Sequence, residues 1–277
     1  MQSSLVTTDW LQEHLNDENI RIVDIRGKVL PASEPPPHYF SHGAAYEEAH
    51  IPNAVFVDWT LDIIEPNSPS NDILNPSDYA NLMSRLGIGD EHMVIAYDDA
   101  NGMFAARFWW TLQYYGHEQA AILDGGWQKW VIENRPTSSE IPTFEPVTFT
   151  PKPQENLRAT AEKILSNPQL VLVDVRSPLE FAGETSRANR AGHIPNAVNI
   201  PRKTLFDASG ELKSAEALRK MFSEVGIEED SQIVTYCNSG VSASYGMIAL
   251  QQAGFKNVSV YDGSWKEWGN DETKPIA

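Results

Sequence analysis

Two hydrophobic periods alternate along the chain. Short apolar runs rich in β-branched residues, such as "LVLVDV" (170–175) and "QIVTY" (232–236), are bounded by polar or glycine-containing turns, and "NVSVYD" (257–262) is a more polar example. Such runs read as strands, and the near-continuous ones as strands buried on both faces. Between them the period lengthens. "SAEALRKMFSEVG" (214–226) sets Ala217, Leu218, Met221, Phe222 and Val225 at helical spacing, with Gly226 placed to cap the helix, and "YGMIALQQAGF" (245–255) is also helical in character. Strands separated by helices predict an α/β fold, a parallel sheet with helices on both faces. In such sheets ligands bind beyond the carboxyl ends of the strands.

The pattern is written twice. "IRIVDIR" (20–26) returns as "LVLVDVR" (170–176), and "AHIPNAVFV" (49–57) as "GHIPNAVNI" (192–200). "GIGDEHMVIAYDDANG" (87–102) parallels "GIEEDSQIVTYCNSG" (226–240), and "LDGGWQKW" (123–130) parallels "YDGSWKEW" (261–268). Four pairs in one order mark a duplicated domain-sized unit. The expected division is a first domain over 1–135, a linker over 136–156 rich in Pro, Ser and Thr, and a second domain over 157–277. At roughly 150 residues per domain, 277 residues also suggest about two.

Composition narrows the function. Hydrophobic residues make up 41% and charged residues 21%, as in a folded soluble protein, and no apolar run approaches the roughly 18 residues that span a bilayer. The net charge of −17 disfavours nucleic acid and anionic membrane as partners. A small anion is still compatible, because screening over about 8 Å lets a few local arginines dominate a pocket. The opening stretch "MQSSLVTTDW" lacks the basic and apolar regions of a secretory signal, and one cysteine permits no internal disulfide; the expected setting is cytoplasmic.

That cysteine, Cys237, stands in "YCNSGVSAS" (236–244), between a strand and a helix expected to begin near Val241 or Ser242. Helix N-terminal N–H groups would point back at its sulfur, and Gly240 permits the tight turn this requires. A helix terminus contributes only about 0.3–1 kcal/mol, so lowering the thiol pKa further needs a ring of loop N–H donors. The first copy has Asp98 at the matching place. Its loop "DDANGM" (98–103) reaches glycine one residue later, and the extra residue is expected to spoil such a ring.

The combination "DVRSPLEFAGE…GHIPNAVNIP…YCNSGVSAS…YDGSWKEW" resembles the tandem-domain rhodanese family of thiosulfate and 3-mercaptopyruvate sulfurtransferases, over nearly the whole chain. The resemblance implies two similar rhodanese-like domains, a catalytically inactive first copy, and Cys237 as a thiol that takes a sulfane sulfur as a persulfide. It implies a small anionic sulfur donor and an acceptor that is a thiol, cyanide or a thioredoxin-like protein, with no cofactor. The loop residues Asn238, Gly240, Val241 and Ser242 would cradle the substrate. The uncharged loop is of the kind that goes with mercaptopyruvate, where Ser239 joins a histidine and an aspartate in a proton relay. His50 matches that histidine, whereas the aspartate's place holds Tyr39. Where many relatives have a substrate-binding arginine this chain has Glu180, so Arg187 and Arg190 become the candidate anion ligands. Arg176 is expected to brace the fold through a carboxylate, and Asp262, Trp265 and Trp268, which recur in both copies, to be architectural.

Two other readings are weaker. A cysteine phosphatase needs an arginine six residues after the cysteine, and that position is Ala243. A non-enzymatic rhodanese-like regulatory module commonly lacks the cysteine that is present here. No metal site is expected, since the seven histidines show no ligand spacing and the thiol has no second thiol.

Overall fold

A computed structural model describes residues 4–70, 72–208 and 210–277. The first three residues of the opening stretch read for a secretory signal lie outside the described residues. Contacts divide the chain into two units. One comprises residues up to 30, 37–66 and 73–154; the other comprises 31–36, 67–72 and 155–277. The proline-rich stretch expected as a linker therefore belongs to the first unit as far as residue 154. Ser138 pairs with His50 in an antiparallel bridge, Arg21 lies 4.2 Å over the Phe144 ring, and Phe149 is buried. Proline denies this stretch a helix or a ladder, but its aromatic residues anchor it all the same.

The first unit contains strands β1 (Leu5–Val6), β2 (Ile20–Asp24), β3 (Gly27–Val29), β4 (Tyr39–Ser41), β5 (Ala54–Phe56), β6 (Met93–Tyr97) and β7 (Ala120–Leu123). Five form a parallel sheet in the order β1-β7-β6-β2-β5, while β3 and β4 make a separate antiparallel ribbon. The second unit holds β8 (Arg158–Ala159), β9 (Val171–Asp174), β10 (Val198–Asn199), β11 (Ile233–Tyr236) and β12 (Val258–Tyr261). They form a parallel sheet in the order β10-β9-β11-β12-β8, which repeats the first topology. All four residues of β11 are buried, and so are all four of β12, whose serine made it look more polar in sequence. Helices flank each sheet. Helix Val241–Gln252 and its counterpart Met103–Tyr114 are buried along most of their length, as befits elements lodged in a core.

Helix Ala215–Glu224 forms where its period predicts. Ser214 accepts from the Ala217 N–H at its start, and Gly226 beyond its end takes a left-handed φ of 84°. Its buried stripe is narrower than the pattern suggested: Leu218 and Phe222 are buried, whereas Val225 is 39% exposed.

The topology fixes where chemistry can occur. From β9 the chain moves outward to β10, then returns to place β11 on the other side of β9. The order reverses between β9 and β11, which opens a crevice at their carboxyl ends. Cys237 follows β11 there, and Asp174, the last residue of β9, is the register partner of Tyr236 just before it.

Candidate active site

Cys237 is 4% exposed and leaves the end of the central strand directly into the loop. Ser264 Oγ accepts hydrogen bonds from the Cys237 N–H and the Gly240 N–H, each at 3.1 Å, and donates to the Tyr261 carbonyl at 2.6 Å. The loop's carbonyls are held from the same side: the Trp265 N–H donates to Cys237 O at 3.0 Å and the Lys266 N–H to Asn238 O at 2.8 Å. Gly240 then caps helix Val241–Gln252 at φ 74°, a left-handed conformation that glycine adopts without the cost a Cβ would bring. Ser239 and Val241 are buried within this turn and Ser242 is partly exposed. The N–H groups of the helix's first turn have no acceptor within the helix, so the loop and helix start can gather donors on an anionic sulfur.

Glu180 is tied to this loop. Its Oε1 accepts from Asn238 Nδ2 at 2.6 Å and from Arg187, and its Oε2 accepts from Ser177 Oγ at 2.7 Å. Ser177 and Glu180 also form a capping box at the start of helix Pro178–Phe181. Burial pushes the Glu180 carboxyl up, but the Arg187 charge and the bonds from Asn238 and Ser177 together outweigh it and hold it below its ordinary value. Glu180 is thus a neutralised tether, and Arg187, expected as an anion ligand, already carries its carboxylate.

Arg190 and His50, the other two candidates, are engaged with backbone carbonyls. Arg190 directs its guanidinium to backbone oxygens, at 3.3 Å from Gly269, 2.9 Å from Lys274 and 2.8 Å from Trp268, and also bonds Asp271 O. It fastens the segment after the final helix and is not placed to receive a substrate anion. His50 is fully buried in the first unit, stacked 4.2 Å from the Tyr46 ring, with Nδ1 at 2.7 Å from Tyr46 O and Nε2 at 3.0 Å from Glu140 O. Both ring nitrogens face backbone carbonyls, so the imidazole is engaged structurally. Its repeat, His193, likewise faces Phe181 O at 2.9 Å and stacks on the Phe181 ring.

Arg176 braces the fold as expected. It is buried, bonds Asp174 from Nε and Nη2, reaches Gly192 O at 2.8 Å, and lies 4.5 Å over Trp265. Arg26 repeats this on Asp24, Ala49 O and Trp127. Asp262 accepts from Arg158 at 2.9 Å, while the Trp265 and Trp268 indoles donate to the carbonyls of Arg190 and Pro275.

The first unit's loop departs from expectation. Its ring of donors is intact, and Asp98 fills it. Oδ1 accepts from the N–H groups of Ala100 and Gly102 at 2.7 and 2.9 Å, and Oδ2 from those of Phe104 and Ala105 at 2.7 and 2.9 Å. The additional residue is absorbed by Asn101 at φ 53°, a left-handed conformation that asparagine tolerates better than most residues. Sequence reasoning also missed Ser264. The signal was present, since serine replaces Gly126 within an otherwise repeated motif.

Among the described residues no group of three or more His, Cys, Asp or Glu is placed to hold a metal ion, and no helix is long and apolar enough to cross a membrane. Comparison with known proteins agrees with the geometry. Residues 7–133 and 157–271 each match the Rhodanese-like domain family. The chain is 37% identical to the sulfur carrier protein TtuD of Thermus thermophilus, over 99% of this chain and 96% of that one. It is 34% identical to a Haloferax volcanii protein named "Putative thiosulfate sulfurtransferase", over 98% and 95% of the two chains. SseA from Escherichia coli, described as a 3-mercaptopyruvate sulfotransferase, superposes with a TM-score of 0.83 at 30% identity, over 95% of this chain and 99% of that one. With both halves matched, and with two parallel sheets of one topology to accommodate the match, the chain belongs to the Rhodanese-like domain family, carrying two such domains in tandem.

Proposed function

We propose that Cys237 takes a sulfane sulfur from a small anionic donor and passes it to an acceptor thiol. The Cys237 thiolate attacks the donor's terminal sulfur, forming an S–S bond. With 3-mercaptopyruvate a C–S bond breaks and its electron pair leaves as the enolate of pyruvate, which then takes up a proton. With thiosulfate an S–S bond breaks and the pair leaves on sulfite. An acceptor thiolate next attacks the outer sulfur of the persulfide, carries it off and restores the Cys237 thiolate. The name of the Thermus relative, a sulfur carrier, favours including protein thiols, such as that of a thioredoxin-like partner, among the acceptors.

The observation that carries this reading is the location of the only cysteine, at the end of the central strand in a loop pinned by Ser264 and followed by a helix N-terminus. Activation of a thiol by N–H donors is the chemistry this arrangement supports. Asn238, Gly240, Val241 and Ser242 form the wall of the cradle. The loop itself carries no cation, and the Glu180 carboxylate bonded to it is already neutralised by Arg187, so mercaptopyruvate, with one carboxylate, is the better donor. Each extra unit of donor charge is worth about 1 kcal/mol at 4 Å in water and more where water is excluded. Intact-mass measurement after exposure to each donor, without acceptor, tests the persulfide, and kcat/KM with both donors tests the preference. No sulfur increment on the chain, or a higher kcat/KM with thiosulfate, counts against the corresponding half of the reading.

A further inference from the structure

Ser264 combines three properties that architecture alone does not require. It is fully buried, it has a positive φ of 52°, and its hydroxyl binds both ends of the cysteine loop. A side chain rarely adopts that backbone conformation. The first unit has glycine at this place, Gly126 at φ 54°, where an added Cβ would come within 2.4 Å of Asp98 O. The same turn is therefore built there without a hydroxyl.

The two units organise the loop differently. In the first, the Gly102 N–H at the helix start donates to the Asp98 carboxylate, so the strand-end residue gathers its own loop. In the second, the equivalent Gly240 N–H donates to Ser264, and so does the Cys237 N–H. A thiol is a weak acceptor and cannot hold a backbone loop as a carboxylate does. Unit 1 also indicates which donors face the strand end. Phe104 and Ala105, whose N–H groups bond Asp98 Oδ2, correspond to Ser242 and Ala243.

We propose that Ser264 is a positioning residue for the sulfur chemistry: its hydroxyl takes over the loop-organising task that Asp98 performs in the first unit, leaving the Cys237 sulfur to the helix-turn N–H groups. This rests on the reading of Cys237 as an activated thiol.

The test is the pH dependence of Cys237 alkylation by iodoacetamide, with no sulfur donor present, in the full-length parent, Ser264→Gly and Ser264→Ala. Glycine takes the left-handed conformation freely, so Ser264→Gly should fold; melting temperatures check both variants, and the glycine variant decides if alanine does not fold. The charged groups around the site (Glu180, Arg187, Arg176, Asp262 and Lys266) are the same in all three proteins. The expected result is a parent midpoint below that of a free thiol, about 8.5, with midpoints raised in the variants and alkylation at pH 7 slowed about tenfold, the equivalent of one pKa unit. A lowered parent midpoint that neither variant moves overturns the role of Ser264 and leaves the activated thiol standing. A shift in one folded variant only overturns it as well, since both lack the hydroxyl. A parent midpoint at the free-thiol value overturns the activated thiol and this proposal with it.

Discussion

Asn238, the residue after the cysteine, donates its side-chain N–H to Glu180 Oε1 at 2.6 Å, and the same oxygen accepts from Arg187. The carboxylate is neutralised by one neighbour while it anchors another. Replacing Glu180 by Gln keeps an acceptor for Asn238 and removes the charge, so Arg187 is left uncompensated beside the loop. The expected outcome is a KM for mercaptopyruvate lowered about three- to tenfold, with kcat little changed. Steady-state kinetics check this, and a raised KM would mean that Glu180 serves only to hold the loop.

Glu180 also makes a prediction about acid. Its pKa is depressed in the folded protein, so the stability it contributes is present above the unfolded value, about 4.3, and is lost as pH falls through the lower folded value. Thermal melts of the parent and Glu180→Gln should therefore differ most near neutrality and converge only as the pH falls through the depressed folded value. A gap that is the same at both ends would show that the charge is not what stabilises.

Cys237→Ser should abolish transfer from either donor and leave the melting temperature nearly unchanged. Serine preserves the size but forms no stable anion at neutral pH and cannot carry a persulfide. Turnover near that of the parent would remove Cys237 from the mechanism.

Asp98→Ala should cost about 3 kcal/mol of stability or more, because four loop N–H groups lose their acceptor and each buried donor left unsatisfied costs about 1–3 kcal/mol. Asp98→Asn, with one accepting oxygen, should cost less. Urea titration measures both, and a cost for Asp98→Ala below about 1 kcal/mol would mean that water or loop movement satisfies the donors.

His50→Ala and Ser239→Ala separate structure from chemistry. Because both His50 nitrogens face carbonyls, its loss should lower stability and reduce turnover with the two donors by the same factor. Ser239→Ala should reduce turnover with mercaptopyruvate more than with thiosulfate, since only mercaptopyruvate leaves an enolate to protonate. A mercaptopyruvate-specific loss in His50→Ala would reinstate the relay.

Periodicity and repetition were enough to read the α/β architecture, the duplication and the strand end at Cys237, because these depend on local patterns. What escaped was decided by contacts distant in sequence. Glu180 meets Asn238 across 58 residues, Arg190 reaches Lys274 across 84, and His50 faces Glu140 across 90. A charged residue's distant partner cannot be inferred from its own neighbourhood in the chain, so the partners of Arg187 and Arg190 are not legible there, whereas Arg176 meets Asp174 two residues away. The stretch around Phe144 and Phe149 reads as a linker in sequence for a related reason. Proline removes periodicity without removing apolar side chains, and these pack on the first unit.

The solitary, 4% exposed Cys237 also sets how the protein meets oxidants. With no second cysteine in the chain to condense with a sulfenic acid, an oxidised Cys237 cannot be rescued as an intramolecular disulfide, and the next steps to sulfinic and sulfonic acid are not reversed by ordinary thiols. Recovery must come from a thiol supplied by another molecule. The supply of external thiol that would discharge a persulfide thus also governs how long the protein survives oxidative stress.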